Sequence, residues 1–279
     1  MLSKIINGRE IAQEIKKNIK SEIENLSDGP CVVSIVIGSN PESDLYLKLR
    51  DKACEQVGIF SKHVKLDDDV TQEKIIQNIK KLNMDKKVHG ILLQFPIPSH
   101  LDSDKIINEI IPRKDVEGIT PFNLGNTLRG LEEIVPCTPL AVIKILESIN
   151  VNFKGKNVVI INHSNIVGKP LSALFLNRNS TVCVCNIFTK DLKAYTTKAD
   201  ILITATGVPG LIKKEYIKKD AIVIDVGINK TDKGICGDVD FNSVKDTAGF
   251  ITPVPGGVGP VTIACSVENI FKIFKKINF

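Results

Sequence analysis

Between Ile251 and Thr262 the chain reads ITPVPGGVGPVT, three prolines and three glycines in twelve residues. Proline fixes φ and donates no N–H, while glycine reaches backbone conformations closed to other residues. The run is therefore expected to be neither helix nor ladder, but one rigid loop with bare peptide groups exposed. Two roles suit such a loop: a scaffold presenting backbone to a ligand, or a tight crossover between domains.

The segments upstream favour a ligand. Ala199 to Gly207 (ADILITATG) and Ala221 to Asn229 (AIVIDVGIN) read as strands that finish in small or polar residues. In a parallel sheet the carboxyl ends of the strands form the ligand crevice, so these endings and the Pro/Gly run point to one edge of one site. Lys156 to Pro170 (KNVVIINHSNIVGKP) adds an apolar strand, a polar loop, and Gly168 and Pro170 opening a helix through Leu171 to Leu176. A helix N-terminus of that kind holds a pyrophosphate on free N–H groups and the positive end of the helix dipole. Asn162 and Ser164 stand where the first two glycines of G-x-G-x-x-G belong, so the motif alone is weak.

A length of 279 residues allows two domains, and 43% hydrophobic with 25% charged residues is the composition of an ordinary globular protein. The net charge of +5 is spread over helix faces and there is no Trp, which suits an anionic small molecule and excludes a nucleic-acid partner. No apolar run approaches the ~20 residues of a membrane span. Lys4, Arg9, Glu10 and Glu14 are unlike a secretory signal, so a cytoplasmic protein without a membrane partner is expected. The seven cysteines form no C-x-x-C pair and have no histidine at ligand spacing, so reduced thiols and no metal site are expected. Of the four histidines, only His163, in the loop before the helix, invites a functional role.

Periodicity organises the rest. Ile11, Ile15, Ile19 and Ile23 mark an amphipathic first helix. A strand follows over 31–37, then a helix opened by Pro41 and ended by Gly58, a helix over 72–82, a strand over 88–94, and a short helix around 106–110. Pro96 and Pro98 must leave the sheet, since neither can donate to a ladder. A linking helix over 140–149 leads to the second part. Strands alternating with helices give an α/β fold with mostly parallel sheets, the second part doubly wound and Rossmann-like.

Chemistry in the first part gathers at Tyr46, Arg50, Gln94 and Glu117. Tyr46 and Arg50 are four apart, on one helix face. Gln94 ends a strand on the crevice side, and Asp115 and Glu117 lie in the next turn. Taken singly, each has an ordinary structural explanation.

Together they form a pattern. Ser43-x-x-Tyr46, Lys52-Ala-Cys-Glu-x-Val-Gly58, Gly90-Ile-Leu-Leu-Gln94-x-Pro-Ile-Pro98, Lys114-Asp-Val-x-Gly118, Pro136-Cys-Thr-Pro139, Ser164-Asn-Ile-Val-Gly-Lys-Pro170, Asp225-Val-Gly-Ile-Asn229 and Pro253-Val-Pro-Gly-Gly-Val-Gly-Pro260 occur in order over nearly the whole chain. In this the sequence resembles the bacterial bifunctional methylenetetrahydrofolate dehydrogenase/cyclohydrolase family.

The resemblance implies a homodimer. Each monomer would have a catalytic domain over 1–121, joined by the last helix at about 262–279, and a Rossmann-like NAD(P)-binding domain over 122–261. It implies a folate cleft between them. Tyr46, Gln94, Glu117, Pro255, Gly256 and Gly257 would bind the tetrahydrofolate substrate, and Tyr46, Arg50, Gln94 and Glu117 would be catalytic. Asn162, His163, Ser164, Ile166, Val167, Gly168, Thr189, Thr206, Gly207, Gly227 and Ile228 would bind the cofactor. The implied reactions are oxidation of 5,10-methylenetetrahydrofolate to the methenyl compound and its hydrolysis to 10-formyltetrahydrofolate.

This chain departs from the family at several positions. Arg50 stands where the family has a lysine, which implies a weakened or lost cyclohydrolase, because arginine does not give up its proton. Glu117 replaces an aspartate, Asn162 a glycine, and Ile187 a side chain that is often polar. No acid lies between Asn186 and Lys190 to hold a ribose diol, which favours NADP, with NAD as the alternative. The alternatives for function are a monofunctional dehydrogenase, a non-catalytic folate or nucleotide sensor, and a shikimate-dehydrogenase-like enzyme of the same plan.

Overall fold

The computed structural model describes residues 4–26, 28–232 and 234–278. Its elements begin with β1 (Lys4–Ile5), α1 (Gly8–Ile23), β2 (Cys31–Ile37), α2 (Pro41–Val57), β3 (Phe60–Leu66), α3 (Gln72–Met84) and β4 (Gly90–Leu93). Next come α4 (Ser103–Asn108), α5 (Pro121–Leu128), α6 (Cys137–Ser148), β5 (Asn157–Ile161), α7 (Gly168–Asn177), β6 (Thr181–Cys185) and α8 (Leu192–Thr196). The chain closes with β7 (Ile201–Thr204), β8 (Ile222–Asp225), β9 (Asn229–Thr231), β10 (Gly234–Cys236), α9 (Phe241–Val244), β11 (Phe250–Ile251) and α10 (Val258–Asn278). No described helix is long and apolar enough to cross a membrane.

The chain forms two compact units. One, built on a three-stranded sheet, takes residues 13–126, 132–137 and 263 onward; the other, built on a six-stranded sheet, takes residues up to 12, 127–131 and 138–262.

In the small-sheet unit the order is β3-β2-β4, all parallel. Successive side chains of a strand point to opposite faces, and the core divides accordingly. Val33, Ile35, Ile37, Ile91 and Leu93 meet Ile75 and Ile79 of α3 and Ile106 and Ile107 of α4 on one face. Val32 and Leu92 meet Ala53, Cys54 and Val57 of α2, Ile19 and Ile23 of α1, and Ile263, Val267, Ile270, Phe271, Ile273 and Phe274 of α10 on the other. Lys114 closes the C-terminus of α3: its buried ammonium donates to Leu82 O, Asn83 O and Asp85 O at 2.9, 2.9 and 2.7 Å. These are carbonyls without helical partners, at the negative end of the dipole. The same burial lowers the Lys114 pKa.

In the large-sheet unit the order is β1-β11-β8-β7-β5-β6, parallel throughout. Ile161, Thr204 and Asp225 stand in register, so β5, β7 and β8 end along one edge.

Residues up to 12 group with the large-sheet unit, because Lys4 and Ile5 pair with Phe250 and Ile251 at the sheet edge. A two-residue strand leaves no periodicity to read. The Pro/Gly run is also less uniformly loop than its composition suggests: Ile251 is in the β11 ladder and α10 starts at Val258, leaving 252–257 as the loop. Pro260 is tolerated because the first turn of a helix has no carbonyl waiting for its missing N–H.

Candidate active site

The centre of the small-sheet unit's site is Arg50. It lies on α2 and is only 1% exposed, an unusual burial for a guanidinium. Its Nη2 donates to Ser34 Oγ at 3.1 Å and to Gln94 Oε1 at 3.3 Å. Nη1 lies 4.0 Å from Glu117 Oε1. The Tyr46 ring, one turn back on the same helix, has its centroid 5.8 Å from the guanidinium carbon, within cation–π range. Gln94 is fixed in turn, its Nε2 donating to Phe95 O at 3.0 Å, and that carbonyl also accepts from Ser43 Oγ at 3.0 Å.

Nε and Nη1 of Arg50 are buried without a hydrogen-bond acceptor. Leaving buried donors of a charged group unmatched is costly, so a site that keeps them is one prepared for an acceptor.

The acids of the neighbouring turn have separate tasks. Asp115 is fully engaged in the fold: Oδ1 accepts from Gly118 N at 2.9 Å, and Oδ2 from Thr120 N at 2.8 Å and Asn123 Nδ2 at 2.9 Å. Glu117 faces Arg50. Burial raises its pKa, the Arg50 guanidinium pulls it back, and Asp115 adds to the rise. Burial likewise raises Tyr46 and Cys137, so both stay protonated at neutral pH. The structure thus brings Tyr46, Arg50, Gln94 and Glu117 together.

It also adds two groups that were not singled out from the sequence. Ser34 is the one polar residue of the buried strand CVVSIVI, and that isolation was a usable signal. Cys137, which begins α6, is buried with its Sγ donating to Val116 O at 3.5 Å, and Glu117 adds to the rise of its pKa.

The cofactor candidates all lie in the large-sheet unit, past the carboxyl ends of its strands. The strand order reverses direction at β5, the switch point where such sheets bind ligands. Asn162 bridges that point, its Nδ2 donating to Ala205 O at 2.7 Å beyond β7. Its Oδ1 accepts from Ser164 N, Ser164 Oγ and Gly168 N at 2.8, 2.8 and 3.0 Å. Asn162 therefore spends its side chain shaping the loop, and the Gly168 N–H expected to be free for a phosphate is engaged by it. The dipole of α7 remains directed at the same crevice.

Thr189 Oγ1 accepts from Asn186 N at 2.9 Å and closes the turn after β6. Ile166, Ile187, Phe188, Val208 and Ile228, in the segments that follow β5, β6, β7 and β8, are exposed apolar side chains. Such a rim suits the faces of nucleotide rings. Pro255, Gly256 and Gly257 follow β11 in the same unit. A Cβ on Gly8 would stand 1.8 Å from Gly257 O, so the start of α1 packs backbone against backbone on this loop.

A two-unit α/β protein, with a parallel sheet of nucleotide-binding type and a cluster of buried Arg50 and Gln94 with half-buried Tyr46 and Glu117, is the class that this geometry defines. Residues 6–117 match the family model described as "Tetrahydrofolate dehydrogenase/cyclohydrolase, catalytic domain", and residues 136–278 match its NAD(P)-binding domain. The chain belongs to the tetrahydrofolate dehydrogenase/cyclohydrolase family.

It is 45% identical to the bifunctional protein FolD of Methanococcoides burtonii, over 98% of this chain and 97% of that one. Among solved structures it is similar to FolD from Campylobacter jejuni, with a TM-score of 0.96 at 43% identity, covering 98% of this chain and 99% of that one. A Trypanosoma brucei FolD, complexed with NADP cofactor and inhibitor, superposes with a TM-score of 0.94 at 34% identity, covering 99% and 98% of the two chains.

Proposed function

We propose that the chain oxidises 5,10-methylenetetrahydrofolate to 5,10-methenyltetrahydrofolate with NADP, and hydrolyses that product to 10-formyltetrahydrofolate. The observation that carries this reading is the buried Arg50 guanidinium with two unmatched donors, framed by Tyr46, Gln94 and Glu117.

Folate chemistry fits these groups. The Tyr46 ring offers a face for a flat heterocycle. Glu117, its pKa raised by burial, can share a proton with a pterin edge. Hydride loss from the methylene carbon leaves a cation that the flanking N5 and N10 stabilise, so the site needs to position the reactants more than to supply a base. For hydrolysis, Arg50 can orient water and stabilise negative charge as the adduct forms, but it does not accept a proton.

Bound NADP supplies the hydride acceptor. The residues present fit it: an α7 dipole, an apolar rim, and open space over Gly207, where a Cβ would meet nothing within 4 Å. His163, Ser164, Ile166, Val167 and Gly168, together with Thr189, Thr206, Gly207, Gly227 and Ile228, would hold it, and His163 and Lys190 would meet a 2′-phosphate. The absence of an acid over 186–190, just after β6, supports NADP over NAD.

We read the working form as a cytoplasmic homodimer. β6 supports the dimer, because it is the outer strand of its sheet and Val184 and Leu176 are exposed beside it.

The test is spectrophotometric. Purified protein given 5,10-methylenetetrahydrofolate should reduce NADP faster than NAD, with methenyltetrahydrofolate appearing and then decaying. No reduced nicotinamide with either nucleotide overturns the reading.

A further inference from the structure

The catalytic reading leaves two buried carboxylates without a role. Asp225 ends β8 and is 3% exposed; Asp238 follows β10 and is fully buried. Two acids side by side in a protein interior are costly unless each is saturated with donors. Here both are, and the donors belong to the loops at the carboxyl edge of the sheet.

Asp238 Oδ2 accepts from Thr204 Oγ1 at 3.0 Å and from Thr206 N at 2.5 Å, so it holds the chain just after β7. Its Oδ1 accepts from Asn229 Nδ2 at 2.9 Å, which holds the chain just after β8. Asp225 Oδ1 accepts from Gly227 N at 3.0 Å and Asp238 N at 3.1 Å, and Oδ2 from Val239 N at 2.8 Å.

The packing around the pair is reciprocal. A Cβ on Gly227 would stand 2.1 Å from Asp238 Oδ1, and one on Gly237 would stand 1.9 Å from Asp225 Oδ2. Each carboxylate therefore occupies the space that a glycine beside the other leaves open. The β9–β10 hairpin is the element that carries Asp238 under the sheet edge, where its backbone also pairs with Ile212.

We propose that Asp238 is a positioning residue for the dehydrogenase: by bonding Thr206 N and Asn229 Nδ2 at once, it fixes the spacing of the two loops that receive the nucleotide. The proposal rests on the nucleotide reading of the Thr206–Gly207 and Gly227–Ile228 loops given above. Asp238 touches no ligand, since it is buried beneath both loops. Its acceptor charge acts through the Thr206 amide on one side and through Asn229 on the other.

Asp238→Asn retains the size of the side chain and removes the charge that holds three donors. Steady-state kinetics should show KM for NADP raised about tenfold or more, the scale of one charge-assisted hydrogen bond, while KM for the folate stays within about twofold. A merely structural residue would lower the melting temperature and the active fraction and leave both KM values alone; that result overturns the proposal.

Should Asp238→Asn fail to fold, Thr204→Val carries the test. It deletes one donor to Asp238 from a buried strand position at nearly constant volume, and it should raise KM for NADP about threefold, as the loss of one modest hydrogen bond would. An unchanged KM in that variant overturns the proposal as well. Calorimetric titration of wild-type protein with NADP separates the two levels: no saturable binding overturns the nucleotide reading itself, whereas binding by wild type with unaltered KM in the variants overturns only the brace.

Discussion

At the scale of single residues the decisive substitution is at position 50. A lysine desolvated in a cleft can drop toward neutral pKa and shuttle a proton, while arginine holds its charge and offers a rigid fork of donors. Hydrolysis of methenyltetrahydrofolate by the wild type is therefore expected about 100-fold or more below its dehydrogenase rate, the lower end of what a positioned acid or base contributes. Arg50→Lys should raise the hydrolysis rate and leave NADP reduction within a few fold, as read from methenyl decay in a nucleotide-free assay. Wild-type hydrolysis as fast as dehydrogenation would remove residue 50 from proton transfer. Much of this site could be read from the chain, because helical spacing places Tyr46 and Arg50 together and a strand end places Gln94. Ser34 escaped because a lone hydroxyl in a β-branched run reads as a tolerated core residue until the guanidinium facing it is seen. The part played by Asn162 was equally hidden, since only the folded loop shows its carbonyl oxygen gathering three donors.

Among elements, α3 shows how one distant side chain completes a helix. Lys114 is 4% exposed and bonds three carbonyls at the α3 C-terminus. Lys114→Met should destabilise the small-sheet unit by about 2–3 kcal/mol, the cost of leaving buried acceptors unmatched, well beyond a surface dipole effect. Hydrogen exchange should show the loss concentrated in the last turn of α3; protection unchanged there would refute the capping role. Elements with a strong apolar pattern were legible: β2 at both ends, α3 within two residues and α1 within three. β3 was not, because FSKHVKL is an edge strand that pairs only with β2 and alternates lysine and histidine with half-buried side chains. The β9–β10 hairpin and α8 are short and take their stability from tertiary contacts, so propensity alone does not reveal them.

For the whole molecule, two measurements follow from the large-sheet unit. Burial and the neighbouring Asp238 push Asp225 up to about 7, against the pull of three N–H groups. An acid whose pKa rises on folding stabilises the protein at low pH, and that contribution is lost as pH climbs from about 4 through about 7. Denaturant unfolding should show stability falling over that window with a slope of at most about 1.4 kcal/mol per pH unit from this group, a fall missing in Asp225→Asn. Equal slopes in the two proteins would assign the effect elsewhere. The second measurement is of mass. Val184→Lys puts a charge beside the open edge of β6, and sedimentation should shift a dimeric wild type toward monomer; an unaltered dimer would place the interface on another face.

One feature of the core bears on how the protein is made. The sheet face formed by Val32 and Leu92 is covered by α10, which supplies Ile263, Val267, Ile270, Phe271, Ile273 and Phe274. On the ribosome, the small-sheet strands emerge long before that helix is synthesised. At ordinary elongation rates of roughly 5–20 residues per second, the interval is on the order of ten seconds. During it the nascent chain carries a greasy, uncovered surface, so the first unit to be translated is among the last to finish folding, and shielding by chaperones matters most for the half of the protein that is born first.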